Sequence, residues 1–227
     1  TVCIGAEPHS EEQRKRIEQL LGVKAYNCFG MSEMNGPGVA FECTEQNGLH
    51  IWEDNVIVEI VDPVTLQPVP EGEVGELVLT TINREAMPLL RYRTRDLTCI
   101  LPGDCPCGRT HKRLARFKGR SDDMIILKGV NLFPIQIEKI LMQFKELGSN
   151  YLITLETIGN SDEMLIEVEL SDLFTDDYSA LQRLTKGITR QLKDELLLTP
   201  RIKLVAKGSL PTTDGKAVRV KDHRKLC

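Results

Sequence analysis

Two polar segments of the chain hold the residue types that chemistry on a small anionic molecule needs. In residues 119–131, Arg120 is followed by two carboxylates, Asp122 and Asp123, and then by an apolar strand. This pattern predicts a hinge between two parts of the chain. Residues 210–216 end in a Gly-Lys pair on a turn of small polar residues, which can hold an ammonium group rigidly and leave it exposed.

Two further carboxylates follow predicted strands. Residues 26–33 end a strand with a glycine, the hydroxyl of Ser32 and the carboxylate of Glu33. Glycine lets the backbone approach a phosphate, the hydroxyl can donate to it, and a carboxylate suits Mg²⁺. Asp96 follows the basic strand 91–95, where its carboxylate could accept hydrogen bonds from both hydroxyls of a ribose. Taken singly, the first segment is more typical of an ordinary strand-to-loop turn, and the second of a solvated strand edge with mixed charges.

A group of cysteines and histidines has the spacing of metal ligands. Cys43 lies shortly before His50, and Cys105 is separated from Cys107 by a single residue. The spacing predicts a structural zinc site with three sulfur ligands and one nitrogen. It favours His50 over His111, which follows Cys107 too closely for an unstrained chelate. The alternative is a buried apolar Cys43, a surface His50 and a reduced Cys-x-Cys turn, and the sequence leaves both interpretations open.

The elements that must position these residues fall into two regions. Capping-box spacing and an apolar stripe predict a helix at 10–21, which a strand at 23–28 follows. Between residues 51 and 100, short alternating apolar runs are separated by prolines and a glycine. This region is predicted to be a small antiparallel sheet or barrel.

Residues 122–227 are predicted to form a separate small domain. Its predicted elements are a strand at 123–128, a helix opened by Pro134, strands near 151–157 and 163–170, an amphipathic helix at 181–196 and a strand at 202–205. The order is that of a ferredoxin-like α+β domain. The fold class predicted for the whole chain is therefore multidomain, with an α/β and an α+β part.

The composition excludes several classes of protein. A formal net charge of -4 with mixed signs gives no broad basic surface, so nucleic acid is not an expected partner. No apolar run reaches the roughly 20 residues that span a membrane. Seven cysteines, an odd number, favour a reducing compartment, and the cytoplasm is the predicted location. Because the chain opens in an apolar strand without methionine, we expect a fragment of a longer protein.

Five ordered motifs resemble those of the acyl-adenylate-forming enzymes. They lie at residues 5–8, 29–33, 92–96, 119–131 and 215–216. Within that superfamily the chain resembles the phenylacetate–coenzyme A ligase family from end to end, also through Gly-Pro-Gly-Val-Ala at 36–40 and Ile-Trp-Glu-Asp at 51–54. The resemblance implies that ATP activates an arylacetate to an acyl-adenylate with release of pyrophosphate. The thiol of coenzyme A then displaces AMP.

The resemblance also implies a role for each candidate residue. Lys216 would bridge the carboxylate and the α-phosphate, Glu33 would bind Mg²⁺, and Asp122 would be the pivot of a mobile lid formed by residues 122–227. Residues 1–121 would be the end of the large AMP-binding domain. The remaining roles are those of Ala6, Glu7 and Phe29 at the adenine, Ser32 at a phosphate, Asp96 and Arg120 at the ribose, and Gly129 beside the pantetheine.

Two departures from the family pattern limit what the chain can do alone. Phe29 stands where many relatives carry tyrosine, and the Ser/Thr/Gly-rich phosphate loop is absent from these residues. The isolated chain is therefore expected to be inactive. The expected partners are an aryl acid, ATP and coenzyme A, and a homodimer stays open. The alternatives are a ligase for another aryl acid and a non-catalytic, zinc-stabilised nucleotide-binding remnant.

Overall fold

The structure, a computed structural model, describes residues 1–7, 9–34, 36–172, 177–212 and 217–224. It forms two compact units, the first comprising residues 1–8 and 14–123 and the second residues 9–13 and 124–227. No helix in the described ranges combines the length and the apolar character needed to cross a membrane.

The first unit consists mainly of strands. Its elements, together with the first helix of the chain, are β1 (Val2–Ile4), α1 (Glu11–Leu21), β2 (Ala25–Met31), a 3-10 turn (Ser32–Met34), β3 (Gly36–Glu42), β4 (Leu49–Ile51), β5 (Val56–Val61), β6 (Gly75–Thr81), β7 (Tyr92–Thr98), β8 (Ile100–Leu101), β9 (Arg113–Leu114) and β10 (Gly119–Arg120). They form a six-stranded sheet in the order β1-β2-β3-β4-β9-β8 and a four-stranded sheet in the order β10-β7-β6-β5.

The core of the first unit joins its two sheets. Leu49 and Ile51 of β4 and Leu77 and Leu79 of β6 are buried in one apolar cluster. The four-stranded sheet is antiparallel throughout and stays open, because β10 and β5 are its two edges among the described residues. The prediction of a barrel-like closure is therefore wrong, and packing on the other sheet covers the apolar face instead.

The second unit is a mixed sheet covered by helices. Its elements are β11 (Ile125–Leu127), β12 (Val130–Leu132), α2 (Pro134–Leu141), β13 (Leu147–Ile158), β14 (Ser161–Leu170), α3 (Tyr178–Leu196), β15 (Arg201–Val205) and β16 (Val220–Asp222). The sheet order is β15-β14-β13-β16, with β13 and β14 antiparallel and both edge strands parallel to their neighbours. Ile137 and Ile140 of α2 and Ile188 and Leu192 of α3 are buried in the core.

The predicted succession of strand, helix, strand, strand, helix and strand is present as β11, α2, β13, β14, α3 and β15. The ferredoxin-like arrangement is wrong in the described residues, because β11 does not enter the four-stranded sheet. It pairs with β12 alone, across a two-residue turn in which Lys128 and Gly129 have φ of 50° and 80°. Two successive positive φ values are those of a type I′ turn, which folds a strand back on its neighbour. The place beside β13 is taken by β16, which the sequence reasoning missed because it has only three residues.

Candidate functional site

Arg120 holds two of the predicted site carboxylates. Strand β10 pairs with β7 so that Arg120 lies opposite Asp96, with Nη1 3.8 Å from Oδ1. The Nε and Nη2 atoms of Arg120 donate to Oδ1 and Oδ2 of Asp122, each at 2.9 Å. These hydrogen bonds to the guanidinium group lower the pKa of the Asp122 carboxyl. The structure thus brings Asp96, Arg120 and Asp122 into one group.

Tyr92 connects this group to Glu33, which lies in the turn after β2. The Tyr92 hydroxyl donates to Oε1 of Glu33 at 3.4 Å, and Arg84 donates to the backbone carbonyl of Glu33. Burial raises the pKa of Tyr92, the negative charges of Glu33 and Asp96 raise it further, and the charge of Arg120 opposes them. Tyr92, to which the sequence analysis gave no role, therefore contacts Glu33, and the charges of Asp96 and Arg120 act on its hydroxyl.

A bulge in β7 sets the direction of the Asp96 carboxylate. Arg95 has a φ of 70°, in the left-handed region that side chains with a Cβ atom rarely adopt, and the β6–β7 register shifts beside it. The Thr94 hydroxyl supports the bulge, since it donates to the carbonyl of Leu77 at 3.0 Å and accepts from the Asp96 N–H at 3.1 Å. Alternation along β7 therefore cannot tell which way Asp96 points.

A buried ion pair fixes the backbone on either side of this bulge. Glu76 of β6 has no exposed surface, and it accepts hydrogen bonds from Nε and Nη2 of Arg93 at 2.7 and 2.8 Å. The Ser121 hydroxyl donates to the same carboxylate at 3.1 Å, and the Ser121 N–H donates to the Arg95 carbonyl at 2.7 Å. The Arg93 hydrogen bonds lower the pKa of Glu76. Glu76 thus ties the segment before Asp122 to the sheet.

An aromatic pair lies on β2 and the strand-free segment before β10. The ring centroids of Phe29 and Phe117 are 4.5 Å apart with an interplanar angle of 41°. Each ring of this tilted pair has an apolar face of the kind on which a purine ring packs. Phe29 was predicted at the adenine, and Phe117 was missed because only the fold brings it to Phe29.

The loop after β1 is held against β2 by a glycine. A Cβ atom on Gly5 would lie 2.5 Å from Sγ and 2.6 Å from the carbonyl oxygen of Cys28, so a side chain there would collide with backbone. Ala6 then has a φ of 69° and is exposed, and Glu7 is half-buried. Ser32 is exposed on the turn that follows β2.

The remaining candidates of the predicted site belong to the second unit. Gly129 is exposed at the β11–β12 turn. Lys216 lies outside the described residues, so the structure gives no position for the predicted catalytic ammonium group.

The predicted zinc ligands lie together in the first unit. The ligand atoms of Cys43, His50, Cys105 and Cys107 are all within 4.8 Å of one another. Cys43, His50 and Cys105 are buried and Cys107 is half-buried. His50 is only 5% exposed, so the alternative that it is a surface residue is wrong.

Sequence comparisons place these residues in a known family. The sequence model described as AMP-binding enzyme matches residues 1–83, and the one described as AMP-binding enzyme C-terminal domain matches residues 129–224. The chain belongs to the family of AMP-binding enzymes, which form acyl-adenylates.

Within the family, the chain is similar to phenylacetate–coenzyme A ligases. It is 43% identical to the one from Thermus thermophilus, over 98% of this chain and 53% of the relative. It is 44% identical to the one from Pseudomonas putida, over 97% of this chain and 50% of the relative. The chain thus spans about half the length of the curated relatives it matches.

A solved structure supports the same fold. The chain is 30% identical to 2-hydroxyisobutyryl-CoA ligase in the postadenylation state, in complex with R3-HIB-AMP. The TM-score is 0.88, and the match covers 97% of this chain and 48% of that chain.

Proposed function

We propose that the protein containing this chain is an acid–thiol ligase that activates an arylacetic acid, phenylacetate in the first instance, and transfers it to coenzyme A. A carboxylate oxygen attacks the α-phosphorus of ATP, and the bond to pyrophosphate breaks. The thiol of coenzyme A then attacks the acyl carbon, and AMP leaves. The observation that carries the proposal is the pair of contacts in which Tyr92 donates to Glu33 and Arg120 lies opposite Asp96, at positions that match the family's motifs.

The nucleotide roles are those that the resemblance implies, and the geometry is compatible with them. Asp96 accepts hydrogen bonds from the two ribose hydroxyls, and Arg120, 3.8 Å away, orients its carboxylate. The adenine packs near Phe29 and the loop that carries Ala6 and Glu7. Ser32, exposed on its turn, donates to a phosphate.

The metal and coenzyme roles rest on donor chemistry. The Glu33 carboxylate is an oxygen ligand of the kind that Mg²⁺ prefers, and the ion would neutralise charge on the phosphates when bound. In this proposal Gly129 lines the path of the pantetheine, and residues 122–227 move as a lid about Asp122. Zinc has no part in the reaction. No disulfide joins the described cysteines, which is consistent with a cytoplasmic enzyme.

The proposed catalytic lysine is Lys216. Lys216 would lie against the carboxylate and α-phosphate oxygens in the first half-reaction and stabilise the charge that develops there. Its test is an assay of the full-length protein with ATP, Mg²⁺, coenzyme A and a panel of aryl and alkyl acids. Lys216→Ala is compared with Lys186→Ala, which removes an exposed lysine of α3.

We expect phenylacetate-dependent AMP release that collapses in Lys216→Ala and persists in Lys186→Ala. AMP release with a different aryl acid only would correct the substrate and keep the class. Nucleotide binding without AMP release for any acid would replace the proposal by a non-catalytic nucleotide-binding protein.

A further inference from the structure

Four ligand atoms of the first unit lie at the spacing of a metal coordination sphere. The Sγ atoms of Cys43 and Cys105 are 3.7 Å apart, and Sγ of Cys107 is 3.5 Å from Nε2 of His50. In a tetrahedral zinc site with bonds of about 2.3 Å to sulfur and about 2.05 Å to nitrogen, two sulfurs are about 3.8 Å apart and sulfur and nitrogen about 3.6 Å. The two distances match the two kinds of tetrahedral edge.

We propose that Cys43, His50, Cys105 and Cys107 bind one structural Zn²⁺ ion. Three thiolates and an imidazole in a tetrahedron select zinc over the hard cations Mg²⁺ and Ca²⁺, which take oxygen ligands. Four protein ligands leave no open position for substrate or water, so the ion stabilises the fold and takes no part in catalysis.

Two turns bring the thiols to the imidazole. The turn after β3 is closed by a hydrogen bond from the Gln46 N–H to the Cys43 carbonyl at 3.0 Å, and Gly108 donates to the Cys105 carbonyl at 3.0 Å. His50 of β4 pairs in register with Phe41 of β3. The ligands therefore come from the end of β3, from β4 and from the loop between β8 and β9.

A buried arginine holds the same two loops together from the protein side. Nη1 of Arg113 donates to the carbonyl of Asn47 at 2.9 Å, and Nη2 donates to those of Gly103 and Asp104 at 3.1 and 3.3 Å. Arg113 is 4% exposed and lies opposite His50 in the β4–β9 pair. The loops that carry the ligands are thus positioned by contacts that do not depend on the metal.

The second ring nitrogen of His50 and the surface beside the cluster also fit a metal ligand. Nδ1 of His50 is buried and makes no hydrogen bond of ordinary geometry with the described residues. A metal on Nε2 would fix the ring proton on Nδ1. Cys43 and His50 also line a surface cavity of about 490 Å³, which gives an ion access.

The test measures metal content in the full-length protein, purified without added metal and without a histidine tag. We expect one zinc ion per chain by mass spectrometry of the metal, and its loss in Cys105→Ser and Cys107→Ser. Cys99→Ser, which changes a buried thiol outside the cluster, is the matched control and keeps its zinc. Zinc that persists in the Cys105→Ser/Cys107→Ser double variant would overturn the proposal.

A second measurement tests the site without relying on the folding of the serine variants. Metal-stripped wild-type protein is titrated with Co²⁺, and we expect the intense visible absorption of tetrahedral cobalt together with a thiolate-to-cobalt charge-transfer band. A spectrum of octahedral cobalt, or a Cys43–Cys105 disulfide found by peptide mapping of protein purified under reducing conditions, would contradict the site.

Discussion

Arg120 and Asp122 form a two-pronged ion pair in which one guanidinium group donates to both oxygens of one carboxylate, each at 2.9 Å. Their side chains are 36% and 49% exposed, whereas that of Glu76 in its pair with Arg93 is 0% exposed. Exposed ion pairs contribute about 0–1 kcal/mol, and breaking a buried one costs several times more. The Arg120–Asp122 pair can therefore open at a small cost in free energy while the Arg93–Glu76 pair stays formed. The proposed pivot at Asp122 requires this combination.

Replacing Asp122 by Asn tests this division of roles. We expect urea unfolding to show a loss of at most about 1 kcal/mol, because water replaces the lost contacts. In the full-length protein, the proposed AMP release should fall much further than stability does. The control is Asp123→Asn, whose carboxylate lies 3.8 Å from the Nε of Arg120. Equal losses of activity in the two variants would contradict the proposed role of Asp122 as the pivot.

Glu76→Gln should destabilise the first unit by about 2–3 kcal/mol at pH 7, less than a fully buried pair because Arg93 is 30% exposed. The pKa of Glu76 is lowered in the folded state, so its contribution is present above the unfolded pKa and is lost as pH falls through the folded pKa. The wild type and the variant should therefore converge in stability at acidic pH. Urea unfolding of this chain, followed by its single tryptophan, Trp52, measures both. A difference that grows below pH 4 would contradict the assignment.

At position 95, glycine should give a more stable protein than alanine. Its φ of 70° costs a residue with a Cβ atom about 1–2 kcal/mol, part of which the greater freedom of glycine in the unfolded chain offsets. Both Arg95→Gly and Arg95→Ala remove the 3.8 Å contact with Glu76, so their difference isolates the backbone. We expect the glycine variant to be about 1 kcal/mol more stable than the alanine variant. Equal thermal midpoints would show that the bulge carries no strain.

Asp96→Asn should raise the KM for ATP in the full-length protein by about tenfold or more, since in the proposed ribose site the amide accepts only one of the two hydrogen bonds well. The KM for the acid should change little. Asp62→Asn is the control, because this carboxylate caps a distant turn through the N–H groups of Val64 and Thr65. A rise in the KM for the acid alone would contradict the proposed contact of Asp96 with the ribose.

Local pattern was enough to predict the helices. The apolar stripe and its cap predicted a helix at 10–21, and the structure has one at Glu11–Leu21. The second amphipathic stripe gave a helix that begins slightly earlier, at Tyr178, because Asp177 accepts a hydrogen bond from the Ser179 N–H at 3.0 Å and caps it. The cap and the apolar stripe of each helix lie close together in the sequence, so both can be recognised without knowledge of the fold.

Features that depend on distant residues could not be predicted in this way. Tyr92 and Phe117 gain their neighbours only when the sheets pair, and Glu76 looks like any polar residue in an alternating strand until Arg93 and Ser121 meet it. The prediction of a barrel was wrong because alternating apolar residues define one apolar face of a sheet but do not show what packs against it. The grouping of Cys43, His50, Cys105 and Cys107 was easier to predict, since two short spacings in the sequence already bring these side chains close together.

The chain on either side of Lys216 is fixed at two points. Leu210 is buried, and its N–H donates to the buried Glu169 at 2.9 Å. On the other side, the Arg219 carbonyl accepts from the Ile153 N–H at 2.9 Å, where β16 joins β13. The number of residues between these two anchors sets how far the backbone that carries Lys216 can reach, so an insertion or deletion there would change that reach.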